Sequence, residues 1–442
     1  MQVARHALSM SAAAGLFACQ VGAKAPPAAP PAPSAPPSPS ALAAPSGVTD
    51  DRSPPPPPAP ESTLRKFDED VAFLNRHGAE LQVLQAPSGG RIAISGKYQA
   101  RIMTSAVEPA GSSLGFINRA FIEAGKTGTA FDNYGGEDRF WLGPEGGQYA
   151  LYFAPGKPFE FAHWQTPAAF QEGAWEQRAA TPTSLTFVRS MKLTNYAKTE
   201  LTLDVERKLM ILALEHVKQR LGVDVPPSLK WVGFASENTI TNTGTKAWTE
   251  DKGLPSIWIL GMFAPVPSTR IIAPFDQQGA GEIVSDRYFG KVPPERLLVN
   301  RDKGFVLFKA DGRARGKIGL PPTRAKAVLG SYSPESRLLT VVRFTKREGA
   351  RRYVNNLWEV TKEPYGGDVS NAYNDGPVEP GKPSLGGFYE LESSSEAAAL
   401  APGAALAHTH ETYHFQGPPE ALEQLAQQVL GVSLRDVENA EL

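Results

Sequence analysis

The residue types best suited to chemistry are concentrated near the C-terminus. Phe388-Tyr389-Glu390-Leu391-Glu392 is followed by Ser393–Gly403 and then by Ala404–Phe415, which carries His408, His410 and His414. On a strand, residues of equal parity share a face, so Glu390 and Glu392 point one way and the three imidazoles share a face of their own. If the two segments pair as a hairpin centred near Leu400, Glu392 lies opposite His408 and Glu390 opposite His410. Carboxylate and imidazole together are the usual pieces of acid–base catalysis at neutral pH. Glu392, His408 and His410 are therefore the candidate catalytic residues. The same donors suit a divalent metal, so a site at Glu390, Glu392, His408 and His410 is a secondary option beside a cofactor-free one. Register decides the matter, because a slip of one residue sends every side chain to the other face. The plainer alternative is a solvent-facing outer strand.

Two further stretches have binding chemistry. Asn133–Gly147 sets Glu137, Asp138, Arg139 and Trp141 among glycines. Hydrogen-bonding side chains beside an aromatic plate suit a sugar, whose hydroxyls need partners and whose C–H face needs a flat apolar surface. The same stretch also reads as a decorated loop, with Trp141 plugging the core. Tyr365–Pro377 offers Asp368, Asn371, Asn374 and Asp375. These are turn formers, they are candidate contacts to sugar hydroxyls, and their oxygens could reach calcium, although the order is not that of an EF-hand loop. His163, beside Trp164, could line a pocket or simply pack.

The elements that must position these groups are mostly strands. Short alternating runs occur at Glu80–Leu84, Arg91–Ser95, Tyr98–Ser105, Tyr149–Phe153, Ser184–Leu193 and Trp231–Asn242. More follow at Ser256–Phe263, Arg270–Ala273, Gly304–Lys309, Leu338–Phe344 and Asn356–Val360. Turn-forming clusters separate them, which predicts an all-β antiparallel sandwich. Helices are predicted at Ser62–Arg76, Arg207–Leu221 and Pro418–Leu430, at the edges of one large domain spanning 62–442.

Upstream of that domain the composition changes. Residues 1–18 read as a secretory signal, with Arg5 ahead of a short apolar stretch. Leu16-Phe17-Ala18-Cys19 is similar to a bacterial lipobox and makes Cys19 the candidate lipid anchor. Gln20 follows it, and the absence of Asp there points to the outer membrane. Residues 19–61 are rich in Pro, Ala and Ser and should be extended. At ~3.1 Å per residue, about forty residues would span up to ~130 Å. The expected location is the bacterial cell envelope, anchored to the membrane rather than crossing it.

With these residues in view, the chain from about Leu81 to Gly417 resembles the galactose mutarotase (aldose 1-epimerase) superfamily of β-supersandwiches. Within it, the chain is most similar to a group of bacterial lipoproteins. The segments that carry the resemblance are Phe116–Arg119, Asn133–Gly147, Ser256–Phe263, Gly367–Pro377 and Tyr389–His414. The resemblance implies that Glu392, ahead of Leu400-Ala401-Pro402-Gly403, is the base-like carboxylate. It also implies that Arg119, with Arg139 as a second candidate, contacts the sugar. The superfamily supplies its acid from a histidine on a central strand, whereas Ile259-Leu260-Gly261-Met262-Phe263 has none. Either His408 or His410 replaces it, or the cleft binds sugar without turning it over.

Composition narrows the rest. The chain has 442 residues, with 45 Lys plus Arg against 46 Asp plus Glu, a formal net charge of −1. That balance lacks the positive field that phosphate-backbone binding requires, so nucleic acid is not expected as a partner. The single cysteine excludes an intramolecular disulfide and a site built on several thiolates. The leading expectation is a tethered carbohydrate-binding protein, with proton transfer at an anomeric centre (a sugar isomerase) left open. The rivals are a scaffolding lipoprotein that docks a protein partner and a Glu/His metal-dependent enzyme.

Overall fold

The run Glu200–Ile211 shows how this sequence makes sheet. Leu201, Leu203, Val205, Arg207, Leu209 and Ile211 are buried, while nearly every residue between them faces outward. Period-two burial is the signature of a strand, so the helix expected to begin at Arg207 begins only later, over Leu214–Leu221. A buried arginine had interrupted the apolar alternation and disguised the strand.

The computed structural model describes residues 65–128, 130–378 and 381–442. The expected signal segment (1–18), Cys19 and the 19–61 tether lie outside the described residues. Within them the protein is an all-β antiparallel sandwich with a few peripheral helices. The larger sheet has ten strands, in the order Leu297–Asn300, Phe305–Lys309, Arg270–Pro274, Val328–Ser333, Leu338–Phe344, Ala405–Gln416, Lys230–Asn242, Glu200–Ile211, Ser184–Thr194 and Glu176–Thr181. The smaller has five, in the order Gly316–Leu320, Ser370–Asn374, Tyr389–Ser394, Ser256–Phe263 and Arg139–Gly143. A three-stranded sheet is formed by Leu81–Gln85, Arg91–Ser95 and Arg101–Ala106.

The inner faces of the two large sheets bury Phe140, Leu142, Ile257, Ile259, Ile318 and Leu391 against residues such as Val205, Leu209, Phe234 and Val342. The far face of the ten-stranded sheet is covered by helices. Tyr413, Phe415 and Trp231 pack with Val217, Leu422 and Leu425 from the helices Leu214–Leu221 and Pro419–Val429. Pro418-Pro419 opens the latter helix, where a fixed φ and a missing N–H cost nothing. The first helix runs Phe67–Arg76. No helix among the described residues is long and apolar enough to cross a membrane.

Two expected strands are loops. Tyr149–Phe153 keeps a single bridge, Phe153 to Trp164, and Asn356–Val360 has no strand pairing. Conversely, Arg139–Gly143 and Ser370–Asn374, read from sequence as parts of loops, are strands of the smaller sheet.

Candidate functional site

The strand Tyr389–Ser394 sits at the centre of the five-stranded sheet and is buried along its whole length. Its odd residues turn toward the larger sheet: Leu391 joins the core and Tyr389 bonds Ser331. Its even residues turn the other way. Cross-strand register places Glu392 beside Leu260 on one side and Asn371 on the other, with Arg139 next to Leu260. Glu390 lies beside Tyr373, whose own neighbour is Lys317. The outer face of the smaller sheet therefore gathers Arg139, Trp141, Trp258, Leu260, Lys317, Tyr373, Glu390 and Glu392.

All of these except Glu392, which is buried behind Lys317 and Trp258, floor a cavity whose sides are Phe131, Glu145, Trp164 and Phe388, with Phe161, Phe289, Arg315, Trp358 and Leu385 half-buried at the rim. The space between the side chains is about 500 Å³, of which about 60 Å³ is wide enough for solvent. Of the two loops mistaken for strands, one carries Trp358 to the cavity rim and holds the Glu145 N–H through Asn356 (2.8 Å), while Tyr149–Phe153 is apolar because it packs into the core.

Charge is paired diagonally across the floor. Lys317 Nζ donates to Glu392 Oε2 at 2.9 Å, and Trp258 Nε1 donates to the same oxygen at 2.8 Å. Arg139 Nη2 donates to Glu390 Oε1 at 2.9 Å. Each cation also lies over an aromatic face, Arg139 at 4.0 Å from the Trp141 ring centre and Lys317 at 4.6 Å from that of Trp258. Burial pushes the Glu390 carboxyl up to about 8, with Arg139 opposing and Glu392 reinforcing the shift. The two carboxyl groups are within hydrogen-bonding reach of each other. Like charges in one site cannot both ionise freely, which is why Glu392 adds to the upward shift of Glu390. Glu145 is likewise raised by burial, against the pull of Lys317. Lys317 is lowered by burial but more than restored by Glu392 and Glu145. Several buried polar atoms on this face have no partner among the described residues: Glu392 Oε1, Arg139 Nε and Nη1, and the indole nitrogens of Trp164 and Trp358. Buried polar atoms are nearly always satisfied; the seam between the sheets also holds open ones, on Arg207, His408 and His410, but on this face those of Arg139, Trp164 and Trp358 border a cavity.

The structure separates the expected site residues into two groups. Glu390, Arg139 and Trp141 line the cavity, and Glu392 lies just beneath its floor, bonded to Lys317 and Trp258. His408 and His410 do not join them, because the expected hairpin is not formed. Tyr389–Ser394 pairs with Ser256–Phe263 and Ser370–Asn374, whereas Ala405–Gln416 lies in the other sheet, between Leu338–Phe344 and Lys230–Asn242. The chain from 395 to 404 crosses from one sheet to the other. Both imidazoles share the Ser393 hydroxyl, at 2.8 Å from His408 Nε2 and 2.8 Å from His410 Nδ1, on the opposite side of the strand from the glutamates. Burial pushes each down to about 3, so both are neutral at pH 7. The four-ligand metal set of Glu390, Glu392, His408 and His410 is thereby divided between two faces.

The remaining candidates are also engaged elsewhere. Arg119 pairs with Asp70, its guanidinium 4.0 Å from the Phe73 ring centre, and is not among the cavity-lining residues. Gly135 and Gly136, at φ 88° and 114°, let the chain turn so that Glu137 and Asp138 enter the seam between the sheets. Glu137 Oε2 meets His414 Nε2 at 2.9 Å and the Ser105 hydroxyl at 2.9 Å. Asp138 pairs with Arg207 and accepts from Ser236 at 2.7 Å. Asp368 accepts the Tyr288 hydroxyl, and burial holds its carboxyl up at about 6. Gly319 is required beside it, since a Cβ there would fall 2.0 Å from Asp368 Oδ2. Asn371 bonds Tyr288 and the Ile318 carbonyl. Asn374 accepts the Gly312 N–H and donates to the Ala314 carbonyl, while Asp375 caps the N–H groups of Gly386 and Gly387. These four do not converge on a common cation position. His163 is half-buried and is likewise not a cavity-lining residue.

Sequence reasoning missed Lys317, Arg315, Glu145, Trp258 and the rim aromatics as site residues. Gly316-Lys317-Ile318-Gly319-Leu320 carried no strand signal, because its two glycines break the usual composition. The clue available was a lysine alternating with Ile318 and Leu320.

The class these features define is an antiparallel β-sandwich with a charged, aromatic-walled cavity on the outer face of its smaller sheet. The chain belongs to a family of unknown function, DUF6786, whose profile matches residues 65–441. No curated protein matches it. Among solved structures it is similar to a protein from Synechocystis sp. PCC 6803, with TM-score 0.45 and 11% identity, covering 76% of this chain and 95% of that one. It is also similar to a galactose mutarotase-like protein from Lactobacillus casei, with TM-score 0.39 and 10% identity over 76% of this chain and 99% of that one. A galactose mutarotase related enzyme from Lactobacillus acidophilus gives TM-score 0.40 and 9% identity over 76% and 97%. At such identities any functional reading rests on this chain's own geometry.

Proposed function

We propose that the protein binds a carbohydrate in the cavity above the five-stranded sheet and exchanges protons at its anomeric centre. The observation that carries this reading is the Glu390–Glu392 pair, two carboxyl groups on one strand face, each tied to its own cation, with Glu390 lining an aromatic-walled space and Glu392 directly beneath its floor. A sugar ring presents a C–H face to indoles and hydroxyls to charged groups, and Trp141, Trp258, Arg139 and Lys317 offer both. The solvent-accessible space is only about 60 Å³, below the roughly 300–1,000 Å³ usual for small-molecule sites. A sugar fills it once the half-buried rim side chains swing aside.

The chemistry divides between the two carboxyl groups. Glu392, anchored by Lys317 and Trp258, takes the proton of the anomeric hydroxyl. Glu390 holds a proton and gives it to the ring oxygen as the bond from that oxygen to the anomeric carbon breaks and a carbonyl forms. Ring closure on the other face returns both protons. Burial of Glu390 raises its proton affinity and suits it to be the acid, so an acid and a base come from one residue type. The histidine missing from the central strand is then not needed, and Leu260 occupies the floor beside Glu392.

The test is exchange spectroscopy of α and β anomers over a panel of aldoses and uronates, with binding followed by calorimetry. Glu392→Gln is expected to lower the exchange rate by about 10²-fold or more, the scale of a lost general base, while changing affinity far less. Undiminished exchange in that variant, or no binding by any sugar of the panel, would refute the assignment.

A further inference from the structure

Arg315 stands apart from the other cations of the cavity. Arg139 and Lys317 each have a carboxylate partner at 2.9 Å. Arg315 forms no ion pair among the described residues. Its guanidinium lies 3.7 Å from the Phe289 ring centre, 5.5 Å from that of Phe161 and 6.0 Å from that of Trp358, and its Nε has no hydrogen-bond partner. The Tyr373 hydroxyl is within its hydrogen-bonding reach. Stacking on aromatic faces fixes the plane of the guanidinium and leaves its edge free, the arrangement that receives a carboxylate in fork geometry.

Charge counting over the cavity points the same way. Its lining has three cations, Arg139, Arg315 and Lys317, while Glu145 and Glu390 line it and Glu392 lies beneath the floor as the third carboxyl group. Two of these carboxyl groups pair with Arg139 and Lys317 at 2.9 Å, which leaves Arg315 as the one lining cation without an ion pair among the described residues. An uncompensated charge in a site this dry is costly, and a guest bearing one negative charge removes that cost.

Resting on the carbohydrate reading above, we infer that the preferred ligand is an acidic sugar of the uronic-acid type, with its carboxylate seated on Arg315 at the rim and its anomeric centre over Glu390 and Glu392. A sugar phosphate shares the anionic chemistry but brings close to two negative charges at neutral pH, one more than the cavity leaves unpaired.

Calorimetry on the full chain, with glucuronate, galacturonate, glucose, galactose and glucose 6-phosphate as probes, tests this directly. One uronate is expected to bind about 10-fold or more tighter than its neutral counterpart, the size of a charge-assisted contact. Arg315→Gln should bring that ratio close to one, and Arg315→Lys should restore part of it, with chemical denaturation showing that both variants fold. Equal affinity for uronates and neutral sugars would overturn the acidic-ligand inference and leave the carbohydrate reading standing. Tighter binding of the phosphate would overturn the single-charge argument. Binding of no sugar at all would overturn the carbohydrate reading and this inference with it.

Discussion

The two faces of the strand Tyr389–Ser394 hold the same kinds of side chain and use them in opposite ways. Toward the larger sheet, both oxygens of each carboxylate are engaged, although Arg207 Nε and Nη1, His408 Nδ1 and His410 Nε2 have no partner among the described residues. Ser393 bridges His408 and His410, Glu137 bridges His414 and Ser105, and Asp138 meets Arg207 and Ser236. Toward the cavity, Glu390 and Glu392 are each held by a cation, yet Glu392 Oε1 and two Arg139 nitrogens stay open. Burial alone therefore does not distinguish a structural carboxylate from a functional one. What distinguishes them is whether the hydrogen-bonding capacity is used up. The trio Thr340–His414–Glu137 makes the point: His414 Nδ1 is 2.9 Å from the threonine hydroxyl and Nε2 is 2.9 Å from the carboxylate, in the manner of a nucleophilic triad. All three residues are buried and none lines the cavity, so the trio is a clasp between sheets.

The contrast can be broken most decisively at its strongest ion pair. Arg207 and Asp138 are both 0% exposed, and a buried charge deprived of its partner typically costs ~3–5 kcal/mol. Asp138→Asn is expected to lose that much in urea denaturation. Glu392→Gln should lose only about 1–3 kcal/mol, because Lys317 keeps the attraction of Glu145 and Glu390, whereas Arg207 has Asp138 alone. Equal losses would mean that the cavity face is as structural as the seam.

A second effect, smaller for each pH unit, is one of pH. His408 and His410 are pushed from 6.5 to about 3 in the folded protein by burial. Below pH 6.5 the unfolded chain binds protons that the native state refuses. Stability is thus intact above 6.5 and declines as pH falls toward 3, by up to about 1.4 kcal/mol per pH unit for each histidine. The pH dependence of the denaturation midpoint measures it, and replacing both histidines with Gln should flatten that interval. An unchanged slope would show that the seam is not the acid-sensitive face.

The smallest effect belongs to Arg119, which sequence reasoning had placed in the site. Its pairing with Asp70 and its stacking on Phe73 are worth about 1 kcal/mol together. Arg119→Ala should lower stability by that amount and leave sugar affinity unchanged. A clear loss of affinity by calorimetry would sharpen the map by extending the site to the first helix.

These contrasts also explain what could be read in advance. Arg91–Ser95, Ser256–Phe263 and Leu338–Phe344 were legible to the residue, because β-branched and aromatic residues run between turn formers. The importance of Glu392 was legible from its place on a late strand. Its partners were not, because strand pairing is long-range. Tyr389–Ser394 and Ala405–Gln416 are adjacent in sequence yet lie in different sheets, and parity within each segment says nothing about which sheet it joins. Ser370–Asn374 was hidden for a related reason. A strand whose outer face carries Asn371 and Tyr373 into polar networks has the composition of a loop.

The central strand serves as a party wall, with living space on one side and masonry on the other. Adding or deleting a single residue there would exchange the two sides, turning the acids into mortar and Ser393 into furniture. Lineages built on this scaffold must therefore diversify through the segments that carry Phe161, Phe289, Trp358 and Leu385, which can lengthen or shorten without moving a brick.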